Sequence, residues 1–140
     1  MKIPFCLLIG LLPLFASSQI MVVDKPTEIV KVKSGQYDSK IEMIVKKEDT
    51  SYSFLYRDHR YPDLVEYKSI LLNRDELKEL GKALLTCESA KNGDRVATPK
   101  YVISKDKTMG FILYSIFYDN GECELTPKQV EKIISAIDKI

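Results

Sequence analysis

From residue 20 onward the chain alternates between apolar and polar positions in short runs, broken by turn residues and twice closed by a helical pattern. Glu28 to Lys33 places Val30 and Val32 on one face, and Ser34-Gly35 then turns the chain. Lys40 to Lys46 sets Ile41, Met43 and Val45 opposite Lys40, Glu42 and Lys46, with Ile44 breaking the pattern. After Glu48-Asp49-Thr50, Ser51 to Arg57 alternates with Tyr52, Phe54 and Tyr56 on one side. Asp58 to Asp63 is a polar loop containing Pro62, and Leu64 to Leu71 reads as a fourth strand. Four period-2 segments with short breaks predict an antiparallel meander.

The period then changes. Asn73 followed three residues later by Glu76 is a capping box, and Leu72 with Leu77 forms the hydrophobic staple around it. Leu77, Leu80, Leu84 and Cys87 share one helical face. Gly81 weakens such a helix by about 1 kcal/mol against alanine, which suits a place where another backbone packs closely. Residues 88–98 read as a loop, because Asn92-Gly93-Asp94 is a turn signal and Pro99 cannot continue a helix.

The second half repeats this grammar. Tyr101 to Ser104 reads as a short strand, Lys105 to Thr108 as a turn, and Gly110 to Tyr118 as a longer strand. Asp119-Asn120-Gly121 is a hairpin signal, and Glu122 to Leu125 returns. Thr126 caps the last helix, Pro127 takes its first position and Gln129 closes the capping box, with Leu125 and Val130 as the staple. Val130, Ile133, Ile134 and Ile137 make its buried stripe. The expected fold is α+β: antiparallel β-sheet in the order β-β-β-β-α-β-β-β-α, with two amphipathic helices packed on it. Each half runs meander, leucine, cap and helix, which suggests a pseudo-repeat. The run from Phe111 to Tyr118 is apolar on both faces, so something covers both. A curled sheet, a long loop or a second copy in a homodimer would do so.

The first eighteen residues follow a different logic. Met1-Lys2 is a positive start, Ile3 to Ala16 carries no charge, and small Ala16, Ser17 and Ser18 precede Gln19. This is the three-part pattern of a secretory signal peptide, with cleavage expected after Ser18. The apolar run is about 14 residues, short of the roughly 20 a spanning helix needs. The expected organisation is a leader at 1–18 and a single domain at 19–140, located in a periplasm or secreted, with no integral membrane segment after cleavage.

Composition narrows the partners. The chain has 140 residues, 21 basic and 20 acidic, and 45% of it is apolar, as one soluble domain would be. Removing residues 1–18 removes Lys2 and no acid, leaving 20 of each sign. The balance also holds locally, with six of each sign in 24–49, three in 51–72, five in 73–98 and six in 99–140. No segment carries the basic excess of a nucleic-acid binder. The β4-α order is similar to that of single-strand-binding coactivator domains in element order alone, and the even charge argues against the same use.

Cys87 and Cys123 follow the leader, and an even pair in an oxidising compartment reads as one disulfide. Without a close Cys/His pairing no metal site is expected, and without C-x-x-C no redox pair. The densest polar cluster is Arg57, Asp58, His59, Arg60 and Tyr61, which holds the only histidine. It reads either as a solvated hairpin loop or as a binding loop in which an arginine fork grips an anion. The Tyr52, Phe54 and Tyr56 stripe reads as core, and Asn120-Gly121 explains the acidic turn around Asp119, Glu122 and Glu124 without calcium. None of G-x-S-x-G, G-x-x-x-x-G-K-[ST], H-E-x-x-H or G-x-G-x-x-G occurs. The expected function is a non-catalytic protein-binding module, inhibitor- or immunity-like, acting without cofactor on a protein of the envelope or exterior. A small-ligand carrier with a pocket between sheet and helices, and an envelope structural subunit, are the alternatives.

Overall fold

The computed structural model describes residues 25–34, 37–46 and 49–140, so the expected leader and the turn residues Gly35 and Glu48 lie outside the described residues. β1 (Thr27–Ser34), β2 (Tyr37–Lys46), β3 (Asp49–Arg57) and β4 (Tyr67–Leu72) form one antiparallel sheet in sequential order, followed by α1 (Arg74–Ser89). β5 (Arg95–Ala97), β6 (Val102–Thr108), β7 (Phe111–Tyr118) and β8 (Gly121–Leu125) form a second, followed by α2 (Pro127–Ile137). The α+β order is as expected, but the strands divide into two sheets and β5 is an extra strand within the expected loop.

The two halves are a structural pseudo-repeat, visible in their register. Val30, Ile41, Phe54 and Ile70 stand side by side across the first sheet. Val96, Ile103, Ile116 and Cys123 stand in the same row across the second. Tyr52 lies opposite Leu72 before the cap of α1, and Tyr114 lies opposite Leu125 before the cap of α2. Both capping boxes close as expected, Asn73 with Glu76 and Thr126 with Gln129.

These rows face inward and merge with the helix stripes into one core. Tyr52, Phe54 and Tyr56 are buried in it, beside Leu77, Leu80, Leu84, Val130, Ile133 and Ile137. α1 lies against β5 and β6 as well as β3 and β4, while α2 lies against β1 and β7, so the helices tie the sheets together. Gly81 is met by a side chain of the other helix rather than by the backbone expected there: a Cβ would sit 3.2 Å from Cγ2 of Ile137. α2 also seals the edge of β1, since Lys132 Nζ donates to the Lys31 carbonyl (2.8 Å) and Gln129 Nε2 to that of Lys33 (2.5 Å). Covered edges resist pairing with other chains.

Three expectations need correction. Leu64 and Val65 are exposed in the β3–β4 loop, and the strand begins only at Tyr67, because Ile70 and Leu72 are the residues with a core to enter. Lys105 to Thr108 continues β6, and the turn is Met109-Gly110. Lys105 points inward, donating from Nζ to the carbonyls of Glu88 (2.5 Å) and Ala90 (2.9 Å) at the end of α1, which has no basic residue in its own last turn.

The third concerns the cysteines. Cys87 and Cys123 are both free and buried. Cys87 is on α1, which packs against β5 and β6, whereas Cys123 is on β8 at the far edge of the same sheet, near Ser39 of β2 (Sγ···Oγ 4.0 Å). A disulfide requires Cα atoms within about 7 Å, and the two thiols are not joined. Both thiols pack as small apolar groups, and burial pushes the Cys123 thiol up to about 12.

Candidate functional site

The polar cluster expected between β3 and β4 is the junction of the two sheets. β3 ends at Arg57, and the following residues pair with the outer edge of β8. The hairpin turn Asp119-Asn120 sets the β7–β8 register so that Cys123 faces Ile116, which turns the backbone of Glu122 and Glu124 outward. The N–H of Glu122 donates to Asp58 Oδ1 (3.1 Å), the N–H of His59 to the Glu122 carbonyl (2.8 Å), and the N–H of Glu124 to His59 Nδ1 (3.2 Å). An accepting Nδ1 carries no proton, so in the neutral ring the proton is on Nε2.

Asp58 is the centre of this arrangement and is fully buried. Arg60 reaches it from its backbone N–H (3.1 Å), from Nε (3.2 Å) and from Nη2 (2.9 Å), and Lys68 Nζ adds an ion pair at 3.1 Å. Burial alone would raise the carboxyl's pKa. The hydrogen bonds from the Arg60 and Glu122 backbones, from Lys68 and from the Arg60 side chain outweigh it and bring the value down to about 2. The arginine fork expected here therefore grips a carboxylate of its own chain.

The rest of the loop is folded onto that anchor. The Asp58 N–H donates to the Glu66 carbonyl (2.8 Å), Arg57 Nη2 to the Pro62 carbonyl (2.6 Å), and the Leu64 N–H to the Tyr61 carbonyl (3.0 Å). Arg60 stacks over the Tyr61 ring at 5.3 Å. Of the five residues singled out from sequence, Arg57 and Asp58 are buried, His59 and Arg60 are half-buried, and Tyr61 is exposed. Sequence reasoning missed Lys68, Glu122 and Glu124, which lie up to 66 residues from Asp58 along the chain. It also missed the exposed apolar side chains of Leu64, Val65 and Tyr67. The signal was present, as an apolar pair directly after Pro62-Asp63.

Beneath the anchor, the Tyr56 hydroxyl is buried without a hydrogen-bond partner, and burial pushes it up to about 12. It fills the space where Gly121 lacks a side chain: a Cβ there would be 2.5 Å from it. Among the described residues no group of three or more His, Cys, Asp or Glu is placed to hold a metal ion, and no helix is long and apolar enough to cross a membrane.

No family model matches this chain, and no curated protein matches it in sequence. Among solved structures, one similar chain comes from work on mutations in SsgB that correlate with longitudinal cell division during sporulation of Streptomyces coelicolor. It is 15% identical, each chain is 81% covered, and the TM-score is 0.34. A superposition that loose carries no argument about activity.

Proposed function

We propose that this chain is an exported, non-catalytic protein-binding module, inhibitor- or immunity-like, and that the β3–β4 loop is its contact surface. One observation carries the reading: Leu64 (60% exposed), Val65 (61%), Tyr61 and Tyr67 face solvent on a segment whose base is locked by Asp58. A floppy loop loses conformational freedom on binding, and a locked one has already lost it, so its contacts appear as affinity. Tyrosine and arginine are the residues that dominate interface energetics, and Arg60 is already stacked on Tyr61. The extracytoplasmic setting rests on residues 1–18 alone.

The test is affinity capture from the host's extracytoplasmic fraction, comparing wild type with Tyr61→Ala and Leu64→Ser. The reading expects a protein retained by wild type and weakened tenfold or more by either change, as contact-centre truncations do. A partner retained equally by all three chains places the interface elsewhere, and no retained partner removes the reading.

A further inference from the structure

We propose a second contact surface at the other end of β7, where the β6–β7 hairpin tip inserts into an anionic lipid surface. The proposal does not rest on the protein-binding loop, which lies against Glu122 and Glu124 of β8, toward the opposite end of β7.

The first observation is a turn filled against its own chemistry. Thr108 pairs with Phe111, so Met109 and Gly110 are the two central residues, with φ of 50° and 84°. Positive φ at both positions is the type I′ requirement, normally met by Asn, Asp or Gly. The neighbouring β7–β8 turn obeys it with Asp119 (φ 39°) and Asn120 (φ 56°). Met109 instead places a long apolar side chain in a left-handed conformation that costs an L residue energy, and leaves it 93% exposed. Neither the strain nor the exposure brings any stability in water.

The second observation is what surrounds it. Phe111 is 73% exposed, and an open apolar groove runs from Met109 and Phe111 past Leu113 to Thr126 and Pro127. Lys107 precedes the tip and Lys128 follows Pro127, both exposed. Asp106, exposed and accepting from the Ser104 hydroxyl at 2.7 Å, stands opposite Leu113, one residue further from the tip than Lys107. An apolar tip with cations set back from it matches the layering of a membrane interface, apolar below and anionic above. A protein partner fits less well, since a standard interface needs about 800 Å² on each side and a convex two-residue turn presents little of that. The chain carries zero net charge from residue 19 onward, so the attachment is local and reversible rather than driven by the whole molecule.

The experiment is co-sedimentation of residues 19–140 with phosphatidylcholine vesicles, with and without one-third phosphatidylglycerol. The core runs from Val30 to Ile137, so this chain keeps all of it. Wild type is expected on the anionic vesicles and released by salt. Met109→Asn should weaken partitioning about tenfold or more, yet raise the melting temperature by a few degrees, because asparagine suits the turn. Phe111→Ser, which leaves the turn unchanged, should weaken partitioning similarly. Wild type that ignores anionic vesicles, or a Met109→Asn chain that binds them equally, overturns the proposal. If a photo-crosslinker at position 109 then captures a protein in the host, the tip is a protein contact instead.

Discussion

The backbone N–H of Glu122 donates to the buried carboxylate of Asp58 across 3.1 Å, joining two residues 64 apart in sequence and the two sheets of the fold. Arg60 and Lys68 compensate the charge, and the same carboxylate holds the base of the exposed loop. Asp58→Ala removes the acceptor from two backbone N–H groups and two cations. A loss of about 2–4 kcal/mol is expected by urea denaturation, and a smaller loss for Asp58→Asn, which retains one acceptor.

The same carboxylate sets a pH dependence. Its folded value of about 2 lies below the ordinary aspartate value of 3.8, so the unfolded chain binds the proton more readily. The stabilisation is complete above the unfolded value and is lost as pH falls from about 5 through 2. Screening by the partly solvated Lys68 and Arg60 reduces it to roughly 1–2 kcal/mol. Denaturation at pH 7, 5 and 3 should show wild type losing stability faster than Asp58→Asn, and parallel losses would remove Asp58 as the cause.

Gly121 and Tyr56 form a testable pair. Gly121→Ala brings a methyl to within 2.5 Å of the Tyr56 hydroxyl and 3.1 Å of the Tyr118 carbonyl, and should cost about 1–3 kcal/mol. Tyr56→Phe removes a buried hydroxyl with no partner and should be neutral or stabilising. The double variant should recover part of the Gly121→Ala loss. A cycle with no coupling energy would contradict the packing described here.

The thiols give a direct chemical check. Intact mass without reductant should show no bridge between Cys87 and Cys123. A thiol reagent should label neither in the folded protein and both in denaturant. Labelling of Cys123 in the native state would mean that the β8 edge opens.

What the sequence disclosed divides by distance along the chain. The helix starts at Asn73 and Thr126 were legible because a capping box is four residues long. The Tyr52, Phe54 and Tyr56 stripe was legible because alternation is local. β5 was not, since Arg95–Ala97 is too short to show a period. The β6–β7 turn is not legible because Met109 is not a turn residue, and Lys105 reads as loop because its inward role depends on α1. Leu64 and Val65 looked like strand because hydropathy cannot tell a buried pair from a displayed one. The cluster at Asp58 was found by composition, but Lys68 and the β8 backbone that define it come from the fold.

Amide hydrogen exchange reads the central relationship most directly, because the clasp makes its own list of protected sites. The N–H groups of His59, Glu122 and Glu124 lie outside the strand ladders and are protected only by this contact. Slow exchange at all three in wild type, with concerted acceleration in Asp58→Ala while the Cys123 amide stays protected, is the predicted result. Rapid exchange at these three sites in the wild-type protein would contradict the account, for the loop would then be unanchored.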